Sequence, residues 1–166
     1  MSLNEPILSE FQQEAKTTRK LLERIPQDAL AWKPHSKSMT MERLAVHIAE
    51  LYGWPSVILT SNELDFSKMD YKPPQIGNIS DLLEFFDKSI AGALDLLKNQ
   101  TDEQLLRPWK LQAGEKIFFE LPRLAVIRSM VLNHTIHHRG QLSVYLRLRD
   151  VPLPSIYGPS ADEPMQ

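Results

Sequence analysis

The chain has 166 residues, no cysteine, and 19 basic against 21 acidic side chains, which gives a formal charge of −2. This length is typical of one domain with a core large enough to fold without disulfides, so we expect residues 1–166 to form a single domain. The lack of cysteine excludes thiolate metal sites and cysteine nucleophiles, so any metal ion would be held by His, Asp or Glu.

The charge and hydropathy patterns argue against two classes of partner. The chain has no dense basic cluster that could neutralise a phosphate backbone, which argues against nucleic-acid binding. No stretch approaches the roughly 18 to 20 apolar residues of a membrane span, and the start has no basic region followed by an apolar run. We therefore expect a soluble, cytoplasmic protein.

The first helix is predicted over about residues 6–25, where apolar residues recur at helical spacing until Pro26 interrupts them. Glu14 lies near the centre of this apolar stripe. Its carboxylate either reaches solvent or supports an internal site. Residues 27–37 lack a clear period and are expected to form a loop anchored by Trp32.

The second helix is expected to begin after Thr40, a good N-cap residue, and to reach about residue 58. Pro55 lies within this pattern and should kink the helix or end its first half. The inward stripe of the helix includes His47.

The next segments alternate between loop and helix. Residues 61–78 are rich in proline and aspartate and predict a long loop that could act as a lid. A third helix is predicted from Ser80 to Asn99, and residues 101–103 could cap one further short turn. Residues 108–122 lose the helical period and fit a short hairpin or an ordered loop equally well.

The fourth helix, from about Pro122 to Arg149, is the longest. The tail from Val151 contains prolines that prevent its continuation, and Ile156 and Tyr157 are expected to pack back across the helices. Four long helical patterns without a convincing alternating strand predict an all-α fold, a four-helix bundle with long connecting loops.

Two histidines of the fourth helix, His134 and His138, lie one turn apart on the same face as the apolar stripe, whereas His137 points about 100° away. Burying an imidazole without partners costs roughly 1 to 3 kcal/mol, so the pair needs hydrogen-bond partners or a metal ion. The pattern alone fits two core histidines bonded to their neighbours as well as it fits a chelating pair.

A third inward histidine, His47, favours a metal site over two hydrogen-bonded core histidines. Facing helices in a bundle lie roughly 8 to 10 Å apart, so side chains from both can reach one ion. Three neutral nitrogens suit Zn²⁺, and also Ni²⁺, Fe²⁺ or Mn²⁺, and leave at least one position open for water. No general base is evident: Glu14 and Glu50 are candidates by position only. His35 and His137 are expected at the surface.

Three stretches then carry a family resemblance: LAVHIAE at 44–50, HTIHHRGQ at 134–141 and IYGPSADE at 156–163. Together with WKP at 32–34 they resemble the DinB family of the DinB/YfiT-like superfamily, over nearly the whole chain. The resemblance implies a four-helix bundle, commonly homodimeric, that holds a divalent metal through His47, His134 and His138. Family members are often described as metal-dependent hydrolases. Relatives in the superfamily are thiol-dependent S-transferases or isomerases that use low-molecular-weight thiols.

The leading functional hypothesis is a metal-dependent enzyme whose three-histidine centre activates water or a thiol for hydrolysis or S-transfer on a small molecule. The alternative is a non-catalytic, metal-binding or stress-associated helical protein whose metal holds two helices together. A third interpretation, a bundle with buried neutral histidines, predicts no stoichiometric metal.

Overall fold

The computed structural model describes residues 2–165. Within that range the chain forms five helices and a three-stranded sheet. The helices are α1 (Asn4–Leu22), α2 (Met41–Thr60), α3 (Ile79–Lys98), α4 (Asp102–Leu106) and α5 (residues 123–147). The strands are β1 (Glu63–Asp65), β2 (Pro108–Ala113) and β3 (Lys116–Pro122). Two single 3-10 turns, Gln27–Ala29 and Phe66–Lys68, join these elements.

The four long helices pack on one another, with both α1 and α2 in contact with α3 and α5. The predicted start of α2 is confirmed, since Thr40 Oγ1 accepts a hydrogen bond from the Arg43 amide at 3.1 Å. Helix α3 starts slightly earlier than predicted, because Asn78 caps it through the Asp81 amide. Pro55 does not end α2: it is buried on the apolar face, and packing there offsets the lost backbone hydrogen bond.

The all-α prediction is wrong, because segments on either side of α3 and α4 form a sheet. Strand β1 pairs in parallel with β2, and β2 pairs antiparallel with β3, so the hairpin alternative at 108–122 is the one that forms. Strand β1 has only three residues, too few to show an alternating pattern in the sequence. The sheet is tied to the helices by Trp109, which is fully buried and donates to Ser61 Oγ at 3.0 Å.

Helix α5 has a π-helical segment, Ile127–Asn133, between two α-helical parts. The buried pair Val126 and Ile127 recurs five residues later as Val131 and Leu132, whereas the buried positions after residue 134 recur at α-helical spacing. Five residues is the hydrogen-bond span of a π-helix, and such segments frequently accompany functional sites. The sequence prediction of one regular helix from Pro122 missed this widening.

The prediction that Ile156 and Tyr157 pack back is met only in part: Tyr157 contacts the helices through its hydroxyl and ring, but 62% of the residue is exposed. Its hydroxyl donates to Glu14 Oε2 at 2.9 Å, and its ring lies 5.0 Å from the Arg139 guanidinium carbon. The solvent-reaching interpretation of Glu14 is therefore wrong: the residue is 6% exposed and pairs with Arg139 at 2.6 Å. This buried ion pair joins α1 to α5.

Between residues 2 and 165, no helix combines the length and the apolar character that crossing a membrane requires.

Candidate metal centre

Three histidines converge where α2 packs against α5. One ring nitrogen from each of His47, His134 and His138 lies within 4.8 Å of the other two. The Nε2 atoms of His134 and His138 are 2.9 Å apart, and the His47 ring centroid lies 5.2 and 4.7 Å from theirs. The structure thus brings together the three side chains that the sequence singled out.

The local structure of α5 sets the spacing of two of these rings. The π-helical segment ends at Asn133, and His134 is the first residue of the α-helical part that follows. His134 and His138 are consequently one regular α-helical turn apart and project together towards α2. Helix α2 contributes His47 from its second turn, next to the fully buried Ile48.

The surroundings keep all three imidazoles neutral near pH 7. Burial lowers the pKa of His134 and His138, and it lowers the pKa of His47 to about 4. For His47 the charge of Arg43, and the charge that His138 or His134 would carry if protonated, lower the pKa further, and Glu50 opposes them. A neutral imidazole keeps a lone pair on one nitrogen, which is the form that binds a metal ion.

The tautomer of His138 is set by Gln141. The Nδ1 atom of His138 lies 2.7 Å from Gln141 Oε1, and an amide oxygen can only accept, so Nδ1 carries the proton. The lone pair of His138 is therefore on Nε2, the atom that faces His134. Histidines that bind metals commonly donate their other ring N–H to an oxygen in this way.

The ring of His134 has an unsatisfied polar atom. Its Nδ1 is buried and makes no hydrogen bond of normal geometry, although the Met130 carbonyl, one turn earlier, partly opposes the lowering of its pKa. Its Nε2 lies close enough to His138 Nε2 for both to bind one ion, because nitrogens about 2.0 to 2.1 Å from a common ion are about 3 Å apart or slightly more. The donor set therefore fits a divalent metal, and this three-histidine cluster could hold one.

A carboxylate, a guanidinium and a phenol lie next to His47. Glu50 Oε2 accepts from Arg43 Nη1 at 2.9 Å and lies 3.6 Å from His47 Nδ1. The Tyr71 hydroxyl donates to Glu50 Oε1 and accepts from Arg43 Nη2 at 3.1 Å. Of the two general-base candidates in the sequence, Glu50 is beside the cluster, whereas Glu14 is paired with Arg139.

A cavity of about 230 Å³ opens beside the cluster and reaches His47. Its walls are mainly apolar and come from α2, β1 and the segment that follows β1. The lining side chains are Arg43, His47, Glu50, Trp54, Val57, Leu64, Phe66, Met69 and Tyr71. A small molecule in this cavity would contact His47 directly.

The remaining two histidines lie outside the cluster, as the sequence predicted. His35 is exposed in the loop before α2, and its Nδ1 accepts from the Lys37 amide at 3.2 Å. His137 is exposed on α5, with its ring centroid 4.9 Å from that of His138. These two positions offer matched controls for variants of the cluster.

Three residues of the site were not found by sequence reasoning. Arg43 and Gln141 could have been, because they are one turn from His47 and His138 on their respective helices. Tyr71 could not, since it lies in an irregular segment whose path depends on the sheet.

Comparisons of the sequence and of the structure with known proteins agree with each other. A sequence model described as the DinB family matches residues 1–165. The uncharacterised protein YrdA of Bacillus subtilis is 28% identical over 162 residues, which span 94% of this chain and 89% of the relative. A crystal structure of a DinB-like protein from Bacillus cereus matches with a TM-score of 0.70 at 23% identity, over 92% of this chain and 97% of that one. The DinB-like protein YjoA from Bacillus subtilis matches with a TM-score of 0.68 at 24% identity, over 89% and 96% of the two chains.

Proposed function

Since the chain belongs to the DinB family, we propose that it is an enzyme that binds a divalent metal ion through His47, His134 and His138. The reaction we propose is hydrolysis or S-transfer on a small molecule, with water or a low-molecular-weight thiol as the attacking group. The single observation that carries this proposal is the convergence of three neutral imidazoles from two helices beside a cavity.

The donor set supports Zn²⁺, and also Ni²⁺, Fe²⁺ or Mn²⁺, because imidazole suits each of them. Bound there with three protein ligands, such an ion would lower the pKa of a water or thiol and polarise a carbonyl. The protein's own contribution begins with Gln141, which keeps the proton of His138 on Nδ1. Glu50, held by Arg43, supplies a carboxylate within reach of a proton released near His47.

The test of metal binding compares two variants that remove histidines. We expect freshly purified protein, or protein reconstituted with each of the four metals, to contain stoichiometric metal. The triple variant of His47, His134 and His138 to alanine should lose it, whereas the double variant of His35 and His137 to alanine should retain it. Elemental analysis measures both.

Turnover is tested separately on the reconstituted protein. We expect one of the four metal forms to act on members of a panel of esters, amides and thiol-acceptor electrophiles, and the triple histidine variant to be inactive on the same compounds. Stoichiometric metal without turnover on any of these classes would refute the enzymatic part of the proposal.

A second candidate, a non-catalytic protein whose metal holds helices together, is favoured by the ligands coming from both α2 and α5. The two candidates differ in thermal behaviour. If the metal is structural, His47→Ala should lower the melting temperature sharply, and if the site is open and catalytic it should do so only modestly. The cavity that reaches His47 supports the open site. The homodimer and the cytoplasmic location stay predictions.

A further inference from the structure

We propose that the cavity beside His47 binds a single, uncharged aromatic ring, so that the substrates of this protein are small neutral aryl compounds. This inference rests on the proposed function, because it names the substrate class of the same centre. It is carried by the chemistry of the cavity walls, by the cavity volume and by the pairing of the charges at its inner end.

The walls of the cavity are apolar and largely aromatic. Trp54 and Val57 come from α2, and Phe66 and Tyr71 come from the segment after β1. Met69 adds a thioether, which makes favourable contacts with aromatic rings. Aromatic side chains prefer a ring as a partner, in edge-to-face or offset geometry, by about 0.5 to 1.5 kcal/mol beyond the area that is buried.

Several of these apolar side chains are exposed in the absence of a ligand. Val57, Phe66, Met69 and Tyr71 are between 39% and 52% exposed, and all four line one cavity. Contiguous exposed apolar groups of this kind mark binding grooves, whereas single ones carry no such meaning. A ligand that covers them would remove this apolar area from water.

The volume sets how much of a ligand the cavity can enclose. At about 230 Å³ the cavity is smaller than the roughly 300 to 1,000 Å³ of sites for drug-sized ligands. It is larger than an apolar cavity of about 150 Å³, which is enough to bind benzene. One substituted ring therefore fits inside the cavity, whereas a fused ring system would extend out of it into solvent.

The charged side chains at the inner end of the metal-free cavity are already bonded to one another. Arg43 and Glu50 pair with each other at 2.9 Å, and the Tyr71 hydroxyl bonds to both. An anionic or cationic ligand would have to break this pairing and lose its own hydration in an apolar cavity. A neutral ring avoids both costs and can direct a polar substituent at His47.

The part of the outer wall that carries Phe66 is anchored by hydrogen bonds to Asp65. Asp65, at the end of β1, accepts hydrogen bonds from the amides of Gly114 at 2.9 Å and Ser67 at 3.0 Å. The first bond ties the residue before Phe66 to the turn of the hairpin, and the second closes a local turn around Phe66. The position of Phe66 in the cavity wall is consequently set by these bonds and by the hairpin.

The first experiment measures binding by amide chemical-shift changes in two-dimensional NMR of metal-free protein and of zinc-loaded protein. The probes are benzyl alcohol, benzoate and benzylammonium, which share a ring and differ in charge. We expect benzyl alcohol to shift amides within residues 54–71 of both forms in a saturable manner, and to bind metal-free protein at least tenfold more tightly than either charged probe does. Equal or tighter binding of benzoate or benzylammonium to the metal-free protein, or benzyl alcohol shifts that lie elsewhere, would overturn the inference.

A matched pair of variants places the binding in this cavity. Val57→Trp should fill the cavity and weaken benzyl alcohol binding at least tenfold, whereas Val144→Trp, the same change at an exposed position on α5, should leave it unchanged. Leu64→Ala should enlarge the cavity and favour 2-naphthylmethanol over benzyl alcohol relative to the wild type. Unchanged binding in a folded Val57→Trp protein, or an unchanged preference in a folded Leu64→Ala protein, would refute the assignment.

The outcomes separate this inference from the proposed function. Saturable benzyl alcohol binding to a protein that takes up no stoichiometric metal would leave the ring site standing and refute the metal centre. Stoichiometric metal without saturable binding of benzyl alcohol would leave the metal centre standing and refute the ring site.

Discussion

The hydrogen bond from His138 to Gln141 gives the sharpest test of the metal centre. Replacing Gln141 by alanine removes the acceptor that lies 2.7 Å from His138 Nδ1 and leaves the metal-facing Nε2 in place. Alanine is a better helix former than glutamine, and Gln141 is exposed, so α5 should keep its stability. The variant therefore perturbs the orientation and the tautomer of one ring and little else.

The expected loss can be placed within a known range. Removing a hydrogen-bond partner of a metal-binding histidine typically lowers metal affinity by about 10- to 100-fold, which is about 1.4 to 2.7 kcal/mol. Because Gln141 is exposed, a water molecule can partly replace its amide oxygen. We therefore expect the lower end of the range, a loss of about tenfold in Zn²⁺ affinity.

The assay is competition for Zn²⁺ between the protein and a chelating fluorophore. Gln141→Glu is the matched control, since it keeps an acceptor oxygen at the same position and should retain or increase the affinity. A Gln141→Ala protein with affinity within about twofold of the wild type would show that Gln141 does not orient His138. A Gln141→Glu protein that binds more weakly than Gln141→Ala would contradict the same reasoning.

Three further predictions concern stability. Arg139→Met should lower the free energy of unfolding in urea by about 3 to 5 kcal/mol, because it leaves the buried Glu14 carboxylate with no positive charge beside it. The double variant with Glu14→Leu should lose clearly less, and equal losses would contradict this reasoning. The folded-state pKa of His47, about 4, lies below its unfolded value near 6.5, so the metal-free protein should lose stability as the pH falls from about 6.5 to 4. His47→Gln should show a shallower loss over that window in a urea series with chelator, and an identical slope would refute the assignment. Gly114 has a φ of 60°, so Gly114→Ala should lower the free energy of unfolding by about 1 kcal/mol. The control is Gly77→Ala, where a Cβ meets nothing within 4 Å and the loss should be smaller. Thermal unfolding of both variants measures the difference.

Local features of the chain were predictable because each depends on residues close in sequence. The cap at Thr40 and the one-turn spacing of His134 and His138 follow from helical geometry alone. The inward direction of His47 follows from the apolar residues around it. For residues 108–122 the sequence left a hairpin and an ordered loop as equal alternatives, since a short apolar stretch around Gly114 is compatible with both.

By itself, then, the sequence determined which faces of the long helices are buried, and which histidines lie on those faces. Only the tertiary structure decided that residues 63–65 pair with residues 110–112, that Glu14 pairs with Arg139, and that Tyr71 completes the cavity beside His47. Periodicity reports the burial of a segment but not its partner, because that choice depends on how distant segments share one core. The histidine cluster depends on both the sequence and the tertiary structure. Helical spacing aligns the rings of His134 and His138, and only the packing of α2 on α5 brings His47 to them.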